Sequence, residues 1–346
     1  MIRKIIPIML VVLFITSTTA FADKVQLPKT GQTTKYAAGD DGDLQKGTAW
    51  PGPRFAVSGD CVTDNLTELM WSKNGNMPNG TKTWQGALDY VASLNSSGGL
   101  CGYTDWRLPN VNELESLVNA EKSNTATWLN SQGFTNVQSQ YYWSSSTCAD
   151  STGNAWNVDM SVGLVDGSGK SVIYYVWPVR AGQSGSLGNS VIWKTGQTTK
   201  YAAGDDGDLQ KGVAWPSPRF TDNGNKTVTD NLTGLMWTKD ANAPGPSTCS
   251  PKTLKTWQKA LDYVACLNTN NYLGHNDWRL PNRKELFSLV DRSKYNPSIP
   301  TGHPFINVHR NYWSSSHGAY GTGSAWRVVV GGGGEVYTGY AWNFYM

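Results

Sequence analysis

The amino-acid sequence predicts an α+β protein built from two tandem copies of one domain, each with two helices and a small, mostly antiparallel sheet. Three observations lead to this prediction. Residues 29–47 recur without change at residues 194–212. In each copy, apolar residues follow first the spacing of helices and then the alternation of strands. Turns rich in glycine and serine separate the strand-like segments.

The duplication extends well beyond the identical segment. Tryptophan motifs recur in the same order in both copies, with these pairs: Trp71 and Trp237, Trp84 and Trp257, Trp106 and Trp278, Trp143 and Trp313. Each copy is long enough to bury a core of its own. The expected organisation is a signal peptide at 1–22, copy one at 23–182, a flexible linker at 183–193 and copy two at 194–346.

The first residues have the pattern of a signal peptide. Arg3 and Lys4 precede the apolar run 5–15, and Ala20-Phe-Ala22 is a typical cleavage site. The run is shorter than the ~20 residues that span a bilayer, and no later segment is apolar enough to do so. We expect an exported chain that is periplasmic, secreted or at the cell surface. The alternative is an uncleaved anchor.

The first predicted helix in each copy is indicated by apolar residues at helical spacing: Trp84, Ala87, Leu88, Val91 and Leu94 in copy one, and Trp257, Ala260, Leu261, Val264 and Leu267 in copy two. The second follows the segment Asp-Trp-Arg-Leu-Pro-Asn. Asn110 precedes Glu113 by three residues, and Asn282 precedes Glu285 in the same way, which is the spacing of a capping box.

Short strands are expected after the second helix. The segments with strand character are residues 141–143, 155–160 and 172–179 in copy one, and residues 325–330 and 336–344 in copy two. Residues 331–334 are all glycine and predict the turn between the two strands of copy two. On this alignment, Trp177-Pro-Val-Arg180 at the end of copy one corresponds to Trp342-Asn-Phe-Tyr345 in copy two.

Five cysteines in an exported chain suggest disulfides with one residue left over. Cys249 lies in a loop found only in copy two and Cys266 near the end of its first helix, so we expect these two to pair. In copy one we favour Cys61 with Cys101, which leaves Cys148 free or paired between chains. A catalytic role for Cys148 is disfavoured because copy one contains no histidine.

Both copies resemble the Lcl C-terminal domain family, which was long filed as a domain of unknown function. The resemblance rests on Asp-Trp-Arg-Leu-Pro-Asn-x-x-Glu-Leu-x-Ser-Leu-Val at 105–118 and its match at 277–290, together with Gly-Asp-Asp-Gly-Asp-Leu, Thr-Asp-Asn-Leu-Thr and Tyr-Trp-Ser-Ser-Ser. It implies C-type-lectin-like domains and, as for the bacterial collagen-like adhesin that names the family, binding to sulfated glycans. The same motif resembles formylglycine-generating enzymes more weakly, without their cysteine-based site.

The residues of this motif are expected to be structural: Trp106, Arg107, Glu113, Trp143, Trp278, Arg279, Glu285 and Trp313. The two arginines could instead bind an anionic sugar through the planar guanidinium group. The serines at 144–146 and 314–316 lack the surroundings of a nucleophile, so their hydroxyls are expected to bond loop backbone.

Two acidic, glycine-rich segments are the strongest candidates for a metal site in the sequence. Their carboxylates could supply oxygen ligands to Ca²⁺, and the residues concerned are Asp40, Asp41, Asp43, Asp205, Asp206 and Asp208. The alternative is an acidic turn in which each Asp bonds its own backbone. Calcium is the only cofactor that the sequence indicates.

No catalytic group stands out, so the sequence predicts a non-catalytic binding protein, and the family resemblance implies that it recognises glycans and serves adhesion. Two weak sites on one chain would gain avidity. The alternatives are an envelope structural or protein-interaction module and, as a minor one, an enzyme of the formylglycine-generating type. The net charge of +3 is spread out and gives no case for nucleic acid. Expected ligand contacts are the loops that differ between the copies, at 74–82, 147–154, 241–255 and 317–324.

Overall fold

The structure is a computed structural model that describes residues 24–181, 192–319, 321, 323–340 and 344. The expected signal peptide at 1–22 and most of the expected linker at 183–193 lie outside these residues. Within the described part of the chain, no helix is both long and apolar enough to cross a membrane.

The described residues form an α+β fold with few helices and small antiparallel sheets. The elements of copy one are α1 (Asp41–Leu44), β1 (Phe55–Ser58), β2 (Cys61–Asp64), β3 (Leu69–Ser72), α2 (Trp84–Ser96), α3 (Val111–Glu115), α4 (Thr125–Ser131), β4 (Tyr141–Thr147), β5 (Asn154–Asp159), β6 (Val165–Gly169) and β7 (Val179–Arg180). Those of copy two are α5 (Asp206–Leu209), β8 (Phe220–Asp222), β9 (Thr227–Asp230), β10 (Met236–Thr238), α6 (Trp257–Thr269), α7 (Arg283–Ser288), β11 (Tyr312–His317), β12 (Ser324–Val329) and β13 (Glu335–Tyr340).

The two predicted helices are present in both copies, and their caps explain where they begin. Thr83 and Thr256 each accept a first-turn N–H at the start of α2 and α6. At α3, the Asn110 side chain accepts from the Glu113 N–H while the Glu113 carboxylate accepts from the Asn110 N–H. The same reciprocal pair opens α7. This capping box satisfies two helix-terminal donors in each copy.

Helix α4 has no counterpart in copy two and was not predicted. Asn124 caps it by accepting from the Thr127 N–H. In copy two the corresponding segment contains Pro297 and Pro300, and a proline inside a helix removes a donor and clashes with the preceding turn. The local sequence therefore permits this helix in copy one alone.

The largest sheet crosses both copies. Its six strands lie in the order β11-β12-β13-β6-β5-β4, so each copy supplies three. The junction is an antiparallel contact between Val336 of β13 and Val165 of β6. Smaller sheets differ between the copies: copy one has β1-β2-β3-β7, whereas copy two has only β10-β9-β8 among the described residues. The main apolar core also combines buried side chains from both copies.

The strand register after β5 corrects the sequence alignment. Residues 165–169 look like a turn because of their glycines, yet main-chain pairing with β5 makes them a strand, and residues 172–178 make only isolated bridges. Lys82 bridges Tyr174, and its counterpart Lys255 bridges Phe344. Phe344 is therefore the counterpart of Tyr174, and the alignment of Trp177 with Trp342 is wrong.

The N-terminal segment of each copy packs against the body of the other copy. We call these segments strap one (residues 24–50) and strap two (residues 192–215). In strap one, Gln32 exchanges two hydrogen bonds with the backbone of His317, and Asp41 accepts from the Ser316 hydroxyl at 2.6 Å. The Lys46 carbonyl accepts from the side chain of Asn282.

Strap two makes the same contacts in the opposite direction. Gln197 exchanges two hydrogen bonds with the backbone of Thr147, and Asp206 accepts from the Ser146 hydroxyl at 2.6 Å. The side chain of Asn110 donates to the Lys211 carbonyl. The two copies are thus joined by a reciprocal exchange of segments.

This exchange predicts that cutting the linker leaves the two halves associated. A protease site inserted within residues 182–191 would divide the chain between the copies. After cleavage, each half still holds the strap of the other, and the shared sheet and core remain buried. We expect the fragments to elute together in gel filtration and to unfold in a single transition. Fragments that separate at micromolar concentration without denaturant would contradict this.

Candidate functional site

The acidic segments anchor the straps. Asp40 caps α1: one carboxylate oxygen accepts from the Asp43 N–H, and the other accepts from the N–H groups of Tyr36 and Ala37. Asp43 accepts from the Gly39 N–H and lies 2.9 Å from the amine of Lys35. Their equivalents in copy two, Asp205 and Asp208, repeat these contacts.

Asp41 and Asp206 point the other way, into the contact between the copies. Each carboxylate accepts two hydrogen bonds from hydroxyl groups, all with O···O distances of 2.6 Å. The donors to Asp41 are Thr30 and Ser316, and the donors to Asp206 are Thr195 and Ser146. Burial raises the pKa of both carboxyls to about 6, although the hydroxyl bonds oppose the shift. These are the central polar contacts of the strap exchange.

This arrangement does not fit a calcium ion. Within one segment the carboxylates diverge, because Asp40 and Asp43 are directed at backbone N–H groups while Asp41 faces the other copy. Calcium needs six or more oxygen ligands that converge on one point. Among the described residues, no group of three or more His, Cys, Asp or Glu side chains is placed to hold a metal ion.

The raised pKa values predict that the straps bind more strongly in mild acid. The ordinary pKa of an Asp is 3.8, so between pH 3.8 and about 6 the folded chain keeps protons that the unfolded chain has released. This contribution to stability is fully present below the unfolded pKa and is lost as the pH rises through the folded one. We expect each carboxyl to lower the free energy of unfolding by about 2 kcal/mol between about pH 4.5 and pH 7.5.

Urea unfolding of the wild type and of the double variant Asp41→Asn, Asp206→Asn tests this. Because asparagine does not titrate, the difference between the two proteins isolates these carboxyls from all other groups. The wild type should lose stability relative to the variant as the pH rises. A difference that stays constant between the two pH values would count against the raised pKa values.

The motif arginines lie beneath the helix caps. Arg107 forms a two-pronged ion pair with Glu113, both N···O distances being 2.6 Å, and Glu113 also accepts from the Asn110 N–H. Arg279 and Glu285 repeat the pair in copy two. In each arginine, the N–H edge of the guanidinium group is therefore bound to the carboxylate that closes the capping box.

The motif serines and tryptophans also have internal partners. The Ser144 hydroxyl donates to the Trp156 carbonyl, and Ser314 donates to Trp326 in the same way. The indole N–H groups of Trp106, Trp143, Trp278 and Trp313 each donate to a backbone carbonyl. Trp106, Trp143 and Trp313 are buried, and Trp278 is half-buried. These groups hold loops in place.

The structure contains both expected disulfides. Cys61 is bonded to Cys101, with 6.4 Å between the Cα atoms, and Cys249 is bonded to Cys266, with 5.6 Å. The second bridge fastens the loop private to copy two onto α6. Cys148 is a free thiol that is buried, and its burial raises its pKa. A thiol of this kind is a poor nucleophile.

An open cleft in copy two is the candidate binding site. Its volume is about 290 Å³, near the lower end for ligand pockets. Trp237, Phe305 and Tyr312 are among the aromatic residues that line it, and Met236 on the edge strand β10 is 42% exposed. Asp277 and His275 line the same cleft.

The same place in copy one is filled by its own chain. Trp177 is fully buried there and lies against Trp71, Phe134 and Tyr142, with ring centroids at 5.1–5.6 Å. These three are the counterparts of the aromatic residues in the cleft of copy two. Met70, the counterpart of Met236, is only 4% exposed. Within the described residues, copy two has no side chain in the position of Trp177.

The sequence indicated only part of the cleft: it marked the loop 241–255 as a ligand contact, and it treated Trp278, Arg279, Glu285 and Trp313, which also line the cleft, as structural. Aligning the copies on their tryptophans placed Trp342 at the position of Trp177. Aligning them on the turn glycines Gly163 and Gly334 would have brought Phe344 within one residue of Tyr174. The turn glycines therefore indicate the correct alignment of the two copies, which the tryptophans do not.

The loops that differ between the copies have distinct placements. Residues 241–255 supply Ala243 and Pro244 to the cleft. The loops at 147–154 and 317–324 begin at the residues that hold the straps, Thr147 and His317. The loop at 74–82 ends at Lys82, beside Tyr174. Only the first of these loops contributes to the cleft.

Comparison with known protein families identifies one family that matches the chain. The profile of the Lcl C-terminal domain matches residues 60–180 and again residues 226–346, which together make up well over half of the chain. Both matches begin after the straps. A search of curated proteins finds no match.

Proposed function

Because the chain belongs to the Lcl C-terminal domain family, in two tandem copies, we propose that it is an exported, non-catalytic binding protein whose ligand occupies the cleft of copy two. The observation that carries the proposal is the contrast between the copies: one groove is closed by the chain's own Trp177, and no described residue closes the corresponding groove of copy two. Copy one then acts as the rigid support of the site.

Export is supported by the signal-peptide pattern at 1–22 and by two disulfides, which persist in oxidising compartments. A C-type-lectin-like topology for each copy is part of the proposal and rests on the family resemblance. The absence of catalysis is supported by the hydroxyls of Ser144, Ser146, Ser314 and Ser316, which all donate to internal acceptors.

The lining of the cleft favours a protein segment as the ligand. Aromatic and aliphatic side chains dominate it, and an exposed edge strand borders it. Sugar sites also use aromatic rings, but they need many polar groups to pair with hydroxyls. We therefore propose a protein-interaction module.

A glycan site is the second candidate, and one observation favours it. Tyr36 and Tyr201 occupy matching positions in the two straps and are 46% and 42% exposed. They are matched surface aromatics onto which sugar rings could stack. Adhesion to sulfated glycans, as the family resemblance implies, would then use two sites on one chain.

Peptide-library and glycan arrays probed with the full mature chain test both candidates. The variant Met236→Arg places a charge at the mouth of the cleft, and Ile306→Arg is its control, because Ile306 is 49% exposed and does not line the cleft. Ligands lost with the first variant and kept with the second support the cleft. Glycans lost with Tyr36→Ala, Tyr201→Ala support the straps, and a chelator arm reports any need for calcium. Silence on both arrays contradicts the binding function.

A further inference from the structure

The edge of the small sheet is paired in copy one and has no partner strand among the described residues of copy two. In copy one, β7 lies antiparallel to β3, with Met70 opposite Arg180 and Trp71 opposite Val179. In copy two, β10 is the last strand of its sheet among the described residues. An unpaired edge of this kind is a template for another strand.

The main chain of copy one shows what such a strand would bond. Arg107 and Val179 exchange two backbone hydrogen bonds of 2.9 Å, the Ser72 N–H donates to the Pro178 carbonyl, and the Trp177 indole donates to the Ser72 carbonyl. The counterparts in copy two are Arg279 and Thr238. No described residue bonds the backbone N–H or C=O of Arg279.

The side-chain positions are matched as well. In copy one, the Arg180 guanidinium pairs with Asp105 at 2.6 Å and lies 3.7 Å above the ring centroid of Tyr103. Asp277 and His275 occupy these two positions in copy two. Asp277 is exposed, and no cation among the described residues pairs with it.

The cleft thus presents three features at fixed spacing: an aromatic slot, an open strand edge and an unpaired carboxylate. We propose that the cleft of copy two binds an extended segment of a partner protein by strand addition, and that this segment carries an aromatic residue followed three positions later by arginine. The inference rests on the proposed function and specifies its ligand. Strand addition is a common mode of peptide recognition, in which backbone bonds supply affinity and alternate side chains supply specificity.

The test uses a synthetic peptide with the sequence of residues 174–181 of this chain, Tyr-Tyr-Val-Trp-Pro-Val-Arg-Ala, titrated into the full mature chain by calorimetry. We expect saturable binding with one site per chain, abolished by Met236→Arg and unchanged by Ile306→Arg. Replacing the peptide tryptophan with alanine should weaken binding about 10- to 100-fold, since that ring fills the slot.

A charge exchange tests the carboxylate separately. Asp277→Lys should weaken binding of the peptide about 5-fold, and a peptide with glutamate in place of arginine should recover the loss. Asp262→Lys is the matched control, because Asp262 is an exposed acid on α6 that does not line the cleft.

Three results would overturn the inference. The first is that the peptide does not bind although the arrays yield other ligands that are lost with Met236→Arg. In that case the proposed function would still hold and only its ligand would be wrong. The second is equal affinity for the peptide with tryptophan and for the peptide in which alanine replaces it. The third is self-association of the unliganded chain that Met236→Arg abolishes, which would make a second copy the occupant.

Discussion

Replacing Glu115 with alanine is expected to destabilise the folded chain by about 3–5 kcal/mol, because it removes the carboxylate from two buried cations. Glu115 lies on α3 of copy one and accepts from Arg283 at 3.0 Å and from Lys284 at 2.8 Å, both on α7 of copy two. All three side chains are at most 3% exposed. The cluster therefore links the two copies in a region that water does not reach.

Lys284 and Arg283 respond differently to the loss of the Glu115 carboxylate. Burial lowers the pKa of Lys284 to about 8 even with Glu115 present, so this amine can release its proton when the carboxylate is removed. Arg283 keeps its charge, because a guanidinium does not deprotonate in proteins. It retains the Gly163 carbonyl and the Trp326 ring among its neighbours.

Urea unfolding of Glu115→Ala measures the effect, with Asp150→Ala as the control, since Asp150 is an exposed acid of the same copy. The triple variant Glu115→Leu, Arg283→Met, Lys284→Met removes the whole cluster and should recover most of the stability. A loss below about 1 kcal/mol in the single variant would mean that water screens the cluster.

Replacing Trp177 with alanine is expected to destabilise the chain by about 3–5 kcal/mol. The ring is fully buried against three aromatic residues, and its N–H bonds the Ser72 carbonyl. The substitution would create in copy one the cleft that copy two already has. Tyr201→Ala, at an exposed ring, should change stability by no more than about 0.5 kcal/mol.

Thermal unfolding with and without added indole adds a second readout for Trp177→Ala. Indole should raise the melting temperature of the variant more than that of the wild type, because ligands that bind only the folded state stabilise it and the variant has a cavity in copy one besides the cleft of copy two. A variant as stable as the wild type would show that β7 does not need this ring.

The sequence was informative where a local pattern decides the structure. The capping boxes at Asn110 and Asn282 depend on side chains three residues apart, and the spacing alone indicates them. The pair Cys249–Cys266 followed from the fact that both cysteines are private to copy two, whereas Cys61 with Cys101 was only the favoured choice among three cysteines. Arg107 was expected to be structural because it recurs in both copies beside core residues, and in the structure it pairs with Glu113.

The strap exchange could not be predicted, for a physical reason. The straps are identical over residues 29–47 and 194–212, and the side chains that receive them, Ser146 with Ser316 and Asn110 with Asn282, are also identical. Either pairing of strap and body satisfies the same hydrogen bonds. The contact between the bodies of the two copies does contain positions that differ, such as Glu115 facing Arg283, but neither residue belongs to a strap.

The exchange of straps also constrains the order in which the protein can mature. A chain is made from its N-terminus, so strap one emerges early and must wait for Asn282 and Ser316 before it can dock. Copy one, in turn, stays incomplete until strap two has been synthesised. Neither half finishes folding alone, and such distant contacts slow the process. A chain that is not fully folded until late in synthesis is also one that can still pass through a secretion channel.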